Sequence, residues 1–167
     1  MMQISKIFID MDGVLADFDL WKDAQPEITD DPSLWKAVSQ ISHFYGTLKP
    51  MPEAHRLMDY LQSLHIPLAI LTGIPRKTSI PTAEQDKAEW MLKNFGHMEF
   101  NIGPYSQDKQ NWSGPGPGLI LIDDKPINIQ QWEAKGGKGF LYEGFLFLYE
   151  GFLVLYDELQ AYLKGSI

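Results

Sequence analysis

Apolar residues along this chain fall into short continuous runs separated by stripes at helical spacing. That is the pattern of strands buried on both faces with helices packed over them. Ile7-Phe8-Ile9, Leu68-Ala69-Ile70-Leu71 and Leu119-Ile120-Leu121-Ile122 are the runs, and Met98 to Ile102 is a weaker strand candidate. Pro52 suits the first turn of a helix whose stripe is Ala54, Leu57, Met58, Leu61 and Leu64. Thr82-Ala83-Glu84-Gln85 fits a capping box, after which Ala88, Met91, Leu92 and Phe95 continue at helical spacing until Gly96 stops the turn. Leu159, Tyr162 and Leu163 predict a final short helix. Strands alternating with helices imply an α/β fold of three layers, Rossmann-like, with a parallel sheet and right-handed crossovers.

Two stretches depart from this alternation. From about Leu20 to Lys49 the chain is Trp-bearing, acid-rich and punctuated by Pro26, Pro32 and Pro50, which reads as an insertion after the first strand. Within it, Asp31 or Ser33 could cap a short helix carrying Leu34, Trp35 and Val38 on one face. The expected organisation is a core of residues 1–19 and 50–167 with a small insertion at 20–49. The second stretch is a tandem copy: Tyr142-Glu143-Gly144-Phe145-Leu146-Phe147-Leu148 is followed by Tyr149-Glu150-Gly151-Phe152-Leu153-Val154-Leu155. The plain reading is a local duplication. Its functional alternative is an exposed strand or hairpin that mediates self-association into a homo-oligomer.

Length and charge narrow the function. A chain of 167 residues can bury a sizeable core as one domain, and 44% apolar with 22% charged residues is ordinary globular composition. The net charge of −8 argues against a nucleic-acid polymer or an anionic membrane as partner. A small phosphorylated substrate stays compatible, because a few local cations and a metal reverse the field within a pocket. Without Cys there is no thiolate catalysis and no zinc-thiolate site. The first residues lack the apolar run of a signal peptide, so a cytoplasmic location is the expectation.

The candidate chemistry sits where the runs end. Asp10 and Asp12 follow the first strand, Thr72 and Gly73 the second, and Asp123 and Asp124 the strand after the breaker-rich loop at 112–118. In a parallel sheet these termini share one edge, where open α/β folds bind ligands. Four carboxylates drawn to one rim call for a cation, and all-oxygen donors favour a hard ion such as Mg²⁺. Asp-x-Asp-Gly also occurs in plain turns and in calcium loops. The calcium loop is excluded because Val14-Leu15-Ala16 follows and the twelfth position from Asp10 is Trp21.

Asp10-Met11-Asp12-Gly13-Val14-Leu15-Ala16-Asp17-Phe18, Leu71-Thr72-Gly73, Asp108-Lys109 and Ile122-Asp123-Asp124-Lys125-Pro126 resemble, in order, the four motifs of haloacid-dehalogenase-superfamily phosphatases. The first and last look most like the 5′(3′)-deoxyribonucleotidase branch. The resemblance implies that Asp10 is the nucleophile that becomes an aspartyl phosphate and that Asp12 is the general acid and base. It further implies Mg²⁺ held by Asp10, the main-chain carbonyl of Asp12 and the last motif, with Asp124 the first choice and Asp123 the second. Thr72 and the Gly73 amide would bond phosphoryl oxygens, Lys109 would neutralise charge on them, and Arg76 or Lys77 would add a second cation. The insertion corresponds to the superfamily's small cap, with Phe18 as a wall for a nucleobase and Trp35, Phe44 and Tyr45 as further cap aromatics. Thr72 is followed by Gly rather than Ser, and Arg76 stands where a Lys is expected. These departures bear on sugar preference, not on hydrolysis.

Three functions follow as competing expectations. The first is a Mg²⁺-dependent phosphomonoesterase acting on nucleoside monophosphates, a 5′(3′)-nucleotidase. The second is the same machinery acting on another small metabolite such as a sugar phosphate. The third is a non-catalytic binding protein that keeps the fold.

Overall fold

The computed structural model describes residues 4–75, 79–116, 118–144 and 151–165. Five strands, β1 (Lys6–Ile9), β2 (Leu68–Gly73), β3 (Glu99–Gly103), β4 (Leu119–Asp123) and β5 (Lys138–Leu141), form one parallel sheet in the order β3-β2-β1-β4-β5. Ile9 pairs with Ile70 of β2 and Ile122 of β4, so Asp10, Thr72 and Asp123 leave the sheet side by side. The chain builds outward from β1 to β2 and β3, then returns to β4 and β5 on the other side. This puts a topological switch point at the end of β1.

Both faces of the sheet are covered, as the continuous apolar runs require. On β1, Ile7 and Ile9 face a core shared with Ile70, Ile120, Ile122, Leu57, Leu61, Met91 and Leu159. Phe8 faces the other way, onto Ala69, Leu71, Leu121 and Trp132. Each fully buried Ile, Leu or Phe among them stabilises the fold by about 1.5–3 kcal/mol. The helices that supply these covers are α4 (Ala54–Ser63), α5 (Ala83–Phe95), α6 (Pro126–Ala134) and α7 (Gly151–Leu163). α6 and β5 carry no clear apolar period and were invisible in the pattern.

Residues 17–50 leave and re-enter at one neck. The Asp17 amide donates to Lys49 O at 2.8 Å, and the Met51 amide donates to Leu15 O at 2.7 Å. Inside it the chain is not irregular: α1 (Phe18–Asp23), α2 (Asp31–Ser39) and α3 (Phe44–Thr47) are helical. The N-cap of α2 is Asp30, one residue before Asp31 and three before Ser33, the two expected caps. Asp30 accepts from the Ser33 amide at 2.8 Å while Ser33 Oγ accepts from the Asp30 amide at 3.1 Å, a reciprocal capping box.

Three expectations are corrected. The α5 stripe is rotated: Ala83, Asp86, Lys87, Trp90 and Met91 face inward, whereas Leu92 is 48% exposed. The Thr82 hydroxyl donates to Asp86 Oδ2 at 2.7 Å instead of capping the helix, because the buried carboxylate is the stronger acceptor. The second repeat copy is not a strand or hairpin where it is described, since Gly151–Leu155 opens α7. Residues 145–150 of the duplication lie outside the described residues. Among the described residues, no helix is long and apolar enough to cross a membrane.

Candidate active site

Tight turns deliver the first motif to the sheet edge. After β1 the Asp10 amide donates to Ile122 O at 2.9 Å, and Asp10 Oδ1 accepts from the Met11 amide at 2.7 Å, which fixes the carboxylate at the strand's end. Gly13 then turns with φ +78°, and the Asp124 carboxylate lies where a Cβ on Gly13 would sit. Only glycine satisfies both conditions.

A second turn supplies the cation. Asp108 Oδ2 accepts from the Tyr105 amide at 3.0 Å at the start of the 3₁₀ helix Ser106–Trp112, and that helix directs Lys109 inward. Lys109 Nζ stands 2.7 Å from Asp10 Oδ2 and 2.6 Å from Asp123 Oδ2, with all three side chains buried. Burial works to lower the Lys109 pKa, but the charges of Asp10 and Asp123 raise it above its ordinary value, so the ammonium stays protonated. Asp123 is fully engaged: its Oδ1 accepts from the Lys125 amide at 2.9 Å, and Asn128 Nδ2 donates to both oxygens at 2.9 and 3.0 Å.

Asp124 is different. Its Oδ1 is buried with no hydrogen-bond partner among the described residues. Burial, followed by the charges of Asp10 and Asp123, pushes its carboxyl up to about 8. Asp10, Asp123 and Asp124 each offer an oxygen within 4.8 Å of the others. An unpartnered buried carboxylate beside two more, with no nitrogen or sulfur donor in the set, fits a hard divalent cation such as Mg²⁺.

Asp12 and Thr72 share a partner outside this cluster of carboxylates. Lys87 of α5 joins them, its Nζ donating to Asp12 Oδ2 at 2.6 Å and to Thr72 Oγ1 at 3.0 Å. Asp10, Asp12, Thr72, Gly73 and Lys109 all line one cavity of about 390 Å³, together with Trp35, Tyr45, Ile74, Pro75, Ser79, Tyr105, Ser106 and Lys125.

The remaining candidates separate. Trp35 and Tyr45 reach the cavity wall from α2 and α3. Phe18 and Phe44 do not line it; they form the aromatic centre of the insertion, with Phe18 edge-on to Phe44 at 5.8 Å and Phe44 against Trp21 at 4.5 Å. Phe44 is fully buried, so its ring serves packing. Arg76 and Lys77 lie outside the described residues. Lys87, Tyr105, Lys125 and Asn128 were missed. For Lys87 a signal existed, because it occupies an inward position of the α5 stripe between Ala83 and Trp90, and a charge there must have partners. Asn128 had none.

No family model and no curated protein matches the chain. Solved structures do. A haloacid dehalogenase-superfamily hydrolase from Ehrlichia chaffeensis superposes with a TM-score of 0.55 at 16% identity, covering 95% of this chain and 99% of that one. A haloacid dehalogenase-like hydrolase from Streptococcus pneumoniae gives 0.57 at 17% identity, covering 96% and 98%. A family hydrolase from Deinococcus radiodurans with bound phosphate and sodium gives 0.52 at 13% identity, covering 99% and 97%. At such identities the likeness is one of architecture. The superpositions, over nearly the whole of each chain, therefore give this five-stranded parallel α/β chain the fold of haloacid dehalogenase-superfamily hydrolases.

Proposed function

We propose that the chain is a Mg²⁺-dependent phosphomonoesterase that passes through an aspartyl phosphate on Asp10, with nucleoside monophosphates as its substrate class. The observation that carries this reading is the pairing of Asp10 with Lys109 at 2.7 Å in the wall of a cavity that Asp12 and Thr72 also line.

An Asp10 carboxylate oxygen attacks phosphorus, the ester P–O bond breaks, and Asp12 gives a proton to the departing oxygen. Water then attacks the phosphoryl group, Asp12 takes a proton from it, and Asp10 is released. Lys109 keeps its charge beside the nucleophile and faces the growing charge on the phosphoryl oxygens. The Thr72 hydroxyl and the Gly73 amide orient those oxygens. Asp10 and Asp124, with the Asp12 carbonyl, would hold Mg²⁺, whose charge lets an anionic nucleophile approach an anionic ester. Asp123 is assigned to holding Lys109 in place, since its own oxygens are already occupied. Residues 20–49 act as the cap that limits water and selects the leaving group.

Trp35, Tyr45 and Tyr105 give the cavity flat apolar walls beside Ile74 and Pro75, which suits a base-bearing leaving group. A sugar phosphate is the second reading, favoured by the hydroxyls of Ser79 and Ser106 in the same wall and by the absence of Phe18 and Phe44 from it. Comparing kcat/KM across nucleoside 5′- and 3′-monophosphates and sugar phosphates decides between them. Nucleotides are expected to lead; turnover of no phosphate ester in the presence of Mg²⁺ would refute the activity itself.

A further inference from the structure

Lys87 is a fully buried cation that the steps above do not use. Its Nζ lies 2.6 Å from Asp12 Oδ2, 2.8 Å from Gly73 O and 3.0 Å from Thr72 Oγ1, and 4.5 Å from the centre of the Tyr45 ring. An ammonium has three N–H groups, and three oxygens take them. No donor remains for a substrate phosphate.

The consequences fall on its partners. Asp12 is pinned through Oδ2, which leaves Oδ1 as its oxygen without a partner among the described residues. Thr72 Oγ1 accepts from Lys87, so its own proton must point elsewhere; the bond it makes to Gly73 O is long, at 3.3 Å. One ammonium thus orients both an oxygen that can exchange a proton with the leaving group and a hydroxyl that can donate to a phosphoryl oxygen. The Tyr45 face closes this arrangement from α3, so the same cation joins the core to the insertion.

We infer that Lys87 is a positioning residue for proton transfer: its contacts with Asp12 and Thr72 hold the general acid in line with the leaving oxygen. This rests on the phosphomonoesterase reading. During the step the ester P–O electron pair goes to the leaving oxygen, which takes its proton from Asp12, while Lys87 keeps all of its own. A purely structural ion pair would make no distinction between leaving groups. A positioning role does, because an alkoxide needs that proton and p-nitrophenolate leaves well without it.

The test measures kcat/KM, with Mg²⁺ present, for a simple alkyl phosphate and for p-nitrophenyl phosphate in wild type, Lys87→Met, Asp12→Asn and the double variant. Positioned general acids contribute about 10²–10⁴ in rate, so Lys87→Met is expected to lower the alkyl ester at least about tenfold more than the aryl ester. In the Asp12→Asn background that extra selectivity is expected to vanish, since the acid is already gone. Equal losses on the two esters, or selectivity that persists without Asp12, overturn the inference alone. A wild type that cleaves neither ester removes the reading beneath it. Thermal melts establish folding; if Lys87→Met does not melt cooperatively, Lys87→Gln, which keeps two donors, is read in the same way. Loss of folding in both assigns Lys87 to the fold and overturns the proposal.

Discussion

Asp10 and Asp124 are both carboxylates at the ends of neighbouring strands, yet Asp10 is hydrogen-bonded through both oxygens while Asp124 Oδ1 has no partner among the described residues. Asp10 has its oxygens engaged by the Met11 amide and by Lys109, which orients it for the nucleophilic role proposed above. Replacing it by Asn keeps the shape but removes the carboxylate charge and one of the two acceptors that Met11 and Lys109 use. Asp10→Asn is therefore expected to lower kcat for p-nitrophenyl phosphate by about 10³-fold or more with an unchanged circular dichroism spectrum. Asp124 is poised to exchange its proton for a cation. Its folded pKa is raised to about 8 against an ordinary 3.8, so without metal it favours folding below about 3.8, and that contribution is lost as pH rises through 8. A cation needs the ionised form. Mg²⁺ is thus expected to bind more tightly from pH 6 to 8.5 and to raise Tm more at the upper end; calorimetry in buffers of different ionisation heat should show proton release. An affinity flat across that range would count against Asp124 as the ligand.

At the scale of elements, the insertion and α5 are joined by contacts that flank Lys87, the partner of Asp12. Trp90 Nε1 donates to Leu48 O at 2.7 Å, and His43, with φ 52° at the start of α3, places Nδ1 2.8 Å from Asp86 Oδ1. Asp86 is buried and adjoins Lys87, so this ion pair bears on the helix turn that carries the Asp12 partner. The hydrogen bond and charge of Asp86 raise the His43 pKa above 6.5, with a smaller contribution from Glu89. A raised histidine contributes stability that is complete below about 6.5 and disappears as pH climbs through the folded value. His43→Gln is accordingly expected to lower Tm more at pH 5.5 than at pH 8.5, with a small effect because the ring is exposed. The same Tm loss at both values would remove charge from the explanation. The rotated face of α5 has a related cause. Periodicity marks Leu92 as apolar, but a helix turns toward the partners that satisfy its buried polar groups, and Asp86 and Lys87 find theirs on the insertion and at the sheet edge.

For the whole molecule, the duplication tests how much of the chain the fold needs. Gly144 and Gly151 are equivalent positions of the two copies, and a Cβ on Gly151 would meet the backbone of Gly144. The two glycines press together, so one repeat unit starts and finishes at nearly the same point. Removing residues 145–151 would let Gly144 take the place of Gly151 at the head of α7. That deletion is expected to leave a folded chain with wild-type kcat/KM and a Tm within a few degrees, read by differential scanning calorimetry. Loss of folding would show that the second unit is structural. Sedimentation at several concentrations, on the intact chain and the deletion, tests the self-association expected of the repeat.

The alternation of apolar runs and stripes determined the parallel α/β architecture, because burial on both faces leaves continuous hydrophobicity that nothing else in a chain this long requires. It also determined which residues end the strands, and so the shared edge of Asp10, Thr72 and Asp123. Tertiary structure alone decided the pairings. Lys109 reaches Asp10 and Asp123, and Lys87 reaches Asp12, across 14 to 99 positions of chain in which no period links them. It decided equally that Phe18 and Phe44 pack with each other while Trp35 and Tyr45 face the cavity. Local pattern reports which side of an element is buried; what it is buried against depends on how separate elements meet in space.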